Sequence, residues 1–186
     1  MTTETPADRH RRIAAVFTER VHGTRDWDVP TPVPEWRARD IVGHLTSWST
    51  GSLASSGVDL PPGPGDDDPV AAWDAHVTSI QALLDDPASA GRVIENPHMG
   101  SMELATMVDR IYTGDVFMHT WDLARATGQD DRLDPGMCGA MVEGMGQMEE
   151  VIRSSGQFGT AVAVPDDADA QTRLLGFIGR DPAWTP

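Results

Sequence analysis

The sequence predicts an all-α protein, a bundle of about four main helices closed by a short C-terminal extension. Three observations predict it. Apolar residues recur at steps of three and four in several long segments. Alternating strand patterns are almost missing. The gaps between periodic segments hold proline, glycine and aspartate, which end helices and make turns. At 186 residues the chain is long enough for one domain with a real core, spanning residues 1–186.

Pro6 to Val21 reads as the first helix, with Ile13, Ala14, Val16, Phe17 and Val21 on an apolar side. Trp27 to Trp36 carries Pro30, Pro32 and Pro34 and is expected as an extended connector. Asp40 to about Ser55 is the second helix, and Gly57 to Asp68 is a loop. Pro69, suited to a first helical position, opens a third helix to Leu84. Pro87 to Gly100 reads as irregular. Ser101 to about Thr127 is the longest helical pattern, with Gly128 as its C-terminal stop. Asp134-Pro135 begins another helix to about Ser154. Phe158 to Val164 reads as a short strand or an extended arm. Ala168 to Gly179 is a last short helix, followed by Asp181-Pro182-Ala183-Trp184. No internal repeat is visible.

Hydrophobic residues make up 39% of the chain, and no apolar run approaches the roughly 20 residues of a membrane span. Met1 to Arg12 is polar and lacks an apolar signal core, so a cytoplasmic location is expected. The lone Cys138 allows no intrachain disulfide, in keeping with a reducing compartment. A net charge of −15 repels phosphate backbones, which argues against a nucleic-acid partner. Asp66-Asp67-Asp68, Asp130-Asp131 and Asp166-Asp167 read as solvated turns, because the ligand spacing and central glycine of an EF-hand are missing.

The chemistry concentrates in the long helical pattern. Leu104, Val108, Ile111, Asp115, Met118, His119 and Asp122 recur at steps of three and four, so Asp115 and His119 continue an apolar, inward stripe. An ionised carboxylate buried without a partner costs several kcal/mol, so a cation, a hydrogen-bond network or protonation must compensate it. The second helix repeats the oddity: Ile41, His44, Leu45, Trp48 and Ser52 share a face. His44, Asp115 and His119 would together offer two nitrogens and one carboxylate from facing helices, as bundle metal sites do. Zinc accepts three such ligands and keeps a fourth position open; iron, nickel or manganese can use the same set. The bland alternative is an Asp-x-x-x-His hydrogen bond along one helix. Asp122 is expected to support a metal-bound histidine rather than to ligate. Trp48 and Tyr112 fall on or beside the same stripes and are taken as pocket walls.

The other polar candidates carry less. His10, beside Arg11 and Arg12, is expected to be exposed. His22 ends a helix, where a cation is favoured. His76 is expected to line the third helix, and His98 sits in an irregular loop that can approach a pocket. Cys138 lacks an adjacent base and reads as a packed thiol. Met137, Met141, Met145 and Met148 form a stripe that reads as adaptable core packing. There is no phosphate-binding glycine loop, nucleophile elbow or clustered-cysteine zinc motif.

Three motifs carry a family resemblance. Val33 to Leu45, with Pro34-Glu35-Trp36 and Asp40-Ile41-Val42-Gly43-His44, resembles the first signature of the DinB-like superfamily. It is most similar to the actinobacterial branch related to the metal-binding domain of mycothiol-dependent maleylpyruvate isomerase. Asp115 to Gly128, DVFMHTWDLARATG, resembles that branch's second signature, and Pro165 to Trp184 resembles its ending. The resemblance implies a DinB-like four-helix bundle with zinc or another divalent metal held by His44, Asp115 and His119. It also implies chemistry with a low-molecular-weight thiol such as mycothiol or bacillithiol. Two departures stand out: that isomerase has glutamate where this chain has Asp115, and it carries a further C-terminal domain beyond the point matching Pro186. Maleylpyruvate isomerisation itself is therefore not the expected reaction.

The leading expectation is a metal-dependent thiol transferase or isomerase acting on a small-molecule substrate. Two others stand beside it: a binding module for a metal or small ligand without turnover, and a metal-independent cyclase or isomerase using Asp115 and His119 as acid and base. Bundles of this kind often pair, so a homodimer is an open expectation.

Overall fold

The protein is described here by a computed structural model covering residues 4–65, 67–96, 100–154, 156 and 158–186. Its helices begin where the sequence supplies caps. In α1 (Pro6–Gly23) the Thr5 hydroxyl accepts from the backbone N–H of Asp8. α2 (Ala38–Ser55) starts with Asp40 reaching back to the Arg37 N–H at 2.7 Å. α3 (Pro69–Asp85) is capped by Asp68, which accepts from Ala71 N–H at 3.0 Å. Each cap satisfies an otherwise orphaned first-turn donor, and proline at the first helical position of α1 and α3 loses nothing because its N–H would be unpaired anyway.

After a single turn, α4 (Pro87–Ala90), the chain forms an antiparallel hairpin of β1 (Val93–Asn96) and β2 (Gly100–Glu103), pairing Val93 with Glu103 and Ile94 with Met102. This corrects the irregular reading of Pro87 to Gly100 and the helical reading from Ser101. Four-residue strands are too short to show a period, and among the described residues Ile94 is the one buried strand side chain. The long helix then runs as α5 (Leu104–Met107), a π-helical segment (Val108–Thr113) and α6 (Gly114–Thr127), and ends at Gly128 in the left-handed conformation, φ 68°. The π segment widens each turn and shifts the faces. Ile111, placed inside by a 3.6-residue period, is only half-buried, while Tyr112 is 2% exposed.

α1 and α2 each pack against both α3 and the Leu104–Thr127 helix, which makes a four-helix bundle. Val116 to Ala124 is buried on every side, so α6 is the central element. The expected helix to Ser154 is split into α7 (Pro135–Gly146) and α8 (Glu149–Ser154), breaking where Gly144 and Gly146 weaken helix propensity. Of α7 only Cys138 is fully buried, while Met137, Met141 and Met145 pack half-buried against the core. Phe158 to Val164 is an extended arm, with Val162 N–H bonded to Gly176 O in α9 (Ala170–Phe177) at 2.9 Å. No helix among the described residues is long and apolar enough to cross a membrane.

Candidate metal centre

Two helices and one turn build the site. α2 presents His44 and Trp48 at the border of its buried face, one turn apart. α6 presents Asp115, His119 and Asp122 along one side. The turn is Val33-Pro34-Glu35-Trp36, closed by Trp36 N–H on Val33 O at 3.1 Å, with Glu35 at φ 69°. Proline at the second position and a positive φ at the third are the marks of a type II turn. It lays the Trp36 ring over His119 at 5.7 Å, nearly parallel, and beside His44 at 4.9 Å.

Asp115 is the hub. Its Oδ2 lies 3.1 Å from His44 Nε2 and accepts the Trp48 indole N–H at 2.9 Å. Its Oδ1 lies 3.5 Å from His119 Nε2. On the far side of its ring, His119 Nδ1 meets Asp122 Oδ2 at 2.8 Å. Arg180 then grips Asp122 with both arms of its guanidinium, Nε to Oδ1 at 2.9 Å and Nη2 to Oδ2 at 3.0 Å.

The electrostatics follow from these contacts. Burial pushes the Asp115 carboxyl up, but the charge of His119 and the hydrogen bonds from His44 and Trp48 outweigh it and hold it below its ordinary value. Burial also pushes Asp122 up, and His119 and Arg180 bring it down further. His119 feels burial in the opposite sense, yet Asp115 and Asp122 hold it above the usual histidine value. The site is therefore a nest of ionised carboxylates facing imidazoles.

One ligand atom each from His44, Asp115 and His119 lie within 4.8 Å of one another, a cluster that can hold a metal ion. The donor set fits a divalent ion. Ligands about 2.1 Å from a tetrahedral ion stand roughly 3.4 Å apart, and the two histidine nitrogens lie 3.1 and 3.5 Å from the Asp115 oxygens. The Nδ1 of His119 is engaged by a carboxylate, which is how metal-bound histidines are usually oriented. His44 retains 32% side-chain exposure, so the cluster is reachable from outside.

The structure thus brings His44, Asp115, His119 and Asp122 together, with Trp48 bonded to Asp115. Tyr112 meets Trp48 at 6.1 Å between ring centres, lines a small cavity with it, and packs between His10 and His76. His10 is fully buried rather than exposed, held by Gln81 at 2.8 Å. His76 is buried and bonds Ser49 at 2.9 Å. His22 pairs with Asp74, and His98 lies outside the described residues. Sequence reasoning missed Trp36, Arg180 and the indole bond of Trp48. Trp36 had a signal in Pro34-Glu35-Trp36, and Arg180 lies in the Pro165 to Trp184 motif, but nothing local ties Arg180 to a partner 58 positions away.

The sequence matches the mycothiol maleylpyruvate isomerase N-terminal domain family over residues 7–124. It is 27% identical over 184 residues to two proteins of Mycobacterium tuberculosis, the uncharacterized protein MT0763 of strain CDC 1551 and the uncharacterized protein Rv0738 of strain H37Rv. Those alignments cover 94% of this chain and 97% of each relative. No solved structure gives a significant match.

Proposed function

Because the chain belongs to the mycothiol maleylpyruvate isomerase N-terminal domain family, we propose that it is a divalent-metal enzyme of the thiol transferase or isomerase type. Zinc is the first choice of ion, ahead of iron, nickel or manganese. The observation that carries this reading is the convergence of His44, Asp115 and His119 within 4.8 Å. Two neutral imidazoles and one carboxylate suit zinc and leave part of its shell for another ligand.

When bound, the metal would supply Lewis acidity, favouring a thiolate over a thiol or polarising a substrate carbonyl. The chain's own residues do the rest. Asp115 adds a negative charge and is kept ionised by His44, His119 and the Trp48 N–H. Asp122 orients His119 through Nδ1. The Trp36 ring covers His119 and shields it from water. The substrate proposed is a small molecule, with a low-molecular-weight thiol as co-substrate.

Metal analysis after purification without chelator or a nickel column tests this. About one zinc per chain is expected in the wild type and almost none in His44→Ala. Full occupancy in the variant would sink the assignment. A second reading, acid–base chemistry without metal, draws on the His119–Asp122 contact of 2.8 Å. Turnover that survives removal of all metal would favour it.

A further inference from the structure

We propose that the C-terminal segment is a working part of the metal centre, with Arg180 as its positioning residue. The inference rests on the metal reading above. The family match ends at residue 124, yet the chain of contacts behind His119 continues past it to residue 180.

That chain is continuous. Both oxygens of Asp122 are taken by Arg180, at 2.9 and 3.0 Å, and Oδ2 also meets His119 Nδ1 at 2.8 Å. A two-armed guanidinium grip fixes the plane of a carboxylate, which a point charge does not. With that plane fixed, the direction of the His119 Nδ1 contact is fixed. The ring is rigid, so its Nε2 is aimed at Asp115. Asp122 is fully buried and Arg180 nearly so, with side-chain exposures of 0% and 13%.

The backbone is built to deliver this arginine. Just past the end of α9 comes Gly179 at φ 81°, and the Arg180 N–H closes on Leu175 O at 2.8 Å. A Cβ on Gly179 would come within 2.7 Å of the backbone of Gly159. Only glycine fits there, because both the backbone conformation and the space exclude a side chain. The extended arm at Gly159 and the turn at Gly179 thus lock together one residue before Arg180.

Arg180→Gln, Arg180→Lys and a control, Leu174→Ala, test the proposal in the full-length chain. Leu174 is fully buried in α9, and its apolar side chain makes no hydrogen bond or ion pair to the site. Two readouts are taken: zinc affinity by competition with a chromogenic chelator, and the slowly exchanging Nδ1–H proton resonance of His119 in zinc-loaded protein. Both arginine variants should bind zinc about tenfold more weakly and lose the protected resonance. Lysine should not rescue, because it keeps the charge and loses the fork. Leu174→Ala should lower the melting temperature while keeping zinc affinity within about twofold and retaining the resonance. The proposal is overturned if Arg180→Gln or Arg180→Lys keeps wild-type affinity and the resonance. It is also overturned if all three variants lose affinity in step with stability. Stoichiometric zinc in the wild type beside such results leaves the metal reading standing, whereas a wild type that binds no zinc overturns both.

Discussion

The bundle holds two histidine clusters, and they differ in what the imidazoles face. Between α2 and α6, His44 and His119 face carboxylates, and the last carboxylate is closed by Arg180. Between α1, α3 and the π-helical segment, His10 and His76 face the Tyr112 ring, the Gln81 amide and the Ser49 hydroxyl. His119, His10 and His76 are buried, and His44 is half-buried. In the first, charge overcomes burial, and His119 is pushed above its ordinary value. In the second, burial acts almost unopposed on His76, which falls to about 4, and His10 is lowered too. Gln81 Nε2 donates to Ala7 O and Asp85, so its Oε1 accepts and His10 Nδ1 donates. A buried histidine is therefore not by itself a metal ligand; a convergent carboxylate makes the difference.

The strongest way to break the contrast is to remove the charge that closes the first cluster. Asp122→Ala leaves the largely buried Arg180 without its partner and His119 Nδ1 without an acceptor. Removing one member of a buried ion pair costs about 3–5 kcal/mol. Urea denaturation should show that loss, and a change under about 1 kcal/mol would show that the pair is not coupled to the core.

The next effect is a dependence on pH, measured on metal-free protein. His76 has a folded value of about 4 against 6.5 when free. The unfolded chain therefore binds the proton first, and stability falls as pH drops from about 6.5 to 4. The whole window is worth about 3 kcal/mol. His119 slopes the other way: its raised value adds stability below the ordinary histidine value and loses it as pH rises above that. Asp122, held below 3.8, contributes stability that is lost only at lower pH still. Denaturation midpoints at pH 7 and pH 5 should fall apart in the wild type and draw together in His76→Gln. An unchanged slope in that variant would assign the effect elsewhere.

What the sequence discloses divides along the same line. Asp115, His119 and Asp122 are legible because one helix sets their spacing, and His44 because it interrupts an apolar stripe. The partner of Arg180 is not legible, since a contact 58 positions long has no period. The second cluster is hidden for a different reason. The π-helical segment turns Tyr112 inward where a 3.6-residue period points to Ile111, and His10 then finds a ring to pack against at 5.9 Å. Arg11 and Arg12 beside His10 suggest an exposed stretch, but they pair outward, Arg11 with Asp85 and Arg12 with Glu4, and leave His10 facing in. The hairpin at Val93 to Glu103 is too short for alternation to register.

Tyr112 separates the clusters and offers a smaller test. Its hydroxyl is buried and has no hydrogen-bond partner among the described residues. Tyr112→Phe removes a polar group that gains little where it lies, so stability should stay level or rise by up to about 1 kcal/mol. Zinc affinity should not move, because Tyr112 meets the site through a ring contact with Trp48 and not through a hydrogen bond to a ligand residue. A loss of 2 kcal/mol or more in a thermal or urea titration would show that the hydroxyl is a needed link between the clusters.

The smallest effect concerns the roof that only the charged cluster has. Trp36 reaches it because Glu35 adopts φ 69°, in the left-handed region that an L side chain enters at a cost of about 1–2 kcal/mol. Glycine would remove that cost but adds about 0.5–1 kcal/mol of backbone entropy lost on folding. The first term is the larger, so Glu35→Gly should stabilise the protein by about 0.5 kcal/mol, read as a higher urea midpoint at unchanged slope. The motif Pro34-Glu35-Trp36 reads in sequence as a stretch of connector, and its geometry explains why the tryptophan follows proline by two. Proline sets the second turn position, the next residue accepts the strain, and the ring lands over His119. If Glu35→Gly destabilises the protein, the Glu35 side chain makes a compensating contact. If it stabilises the fold yet weakens zinc binding, the strain itself holds the ring down.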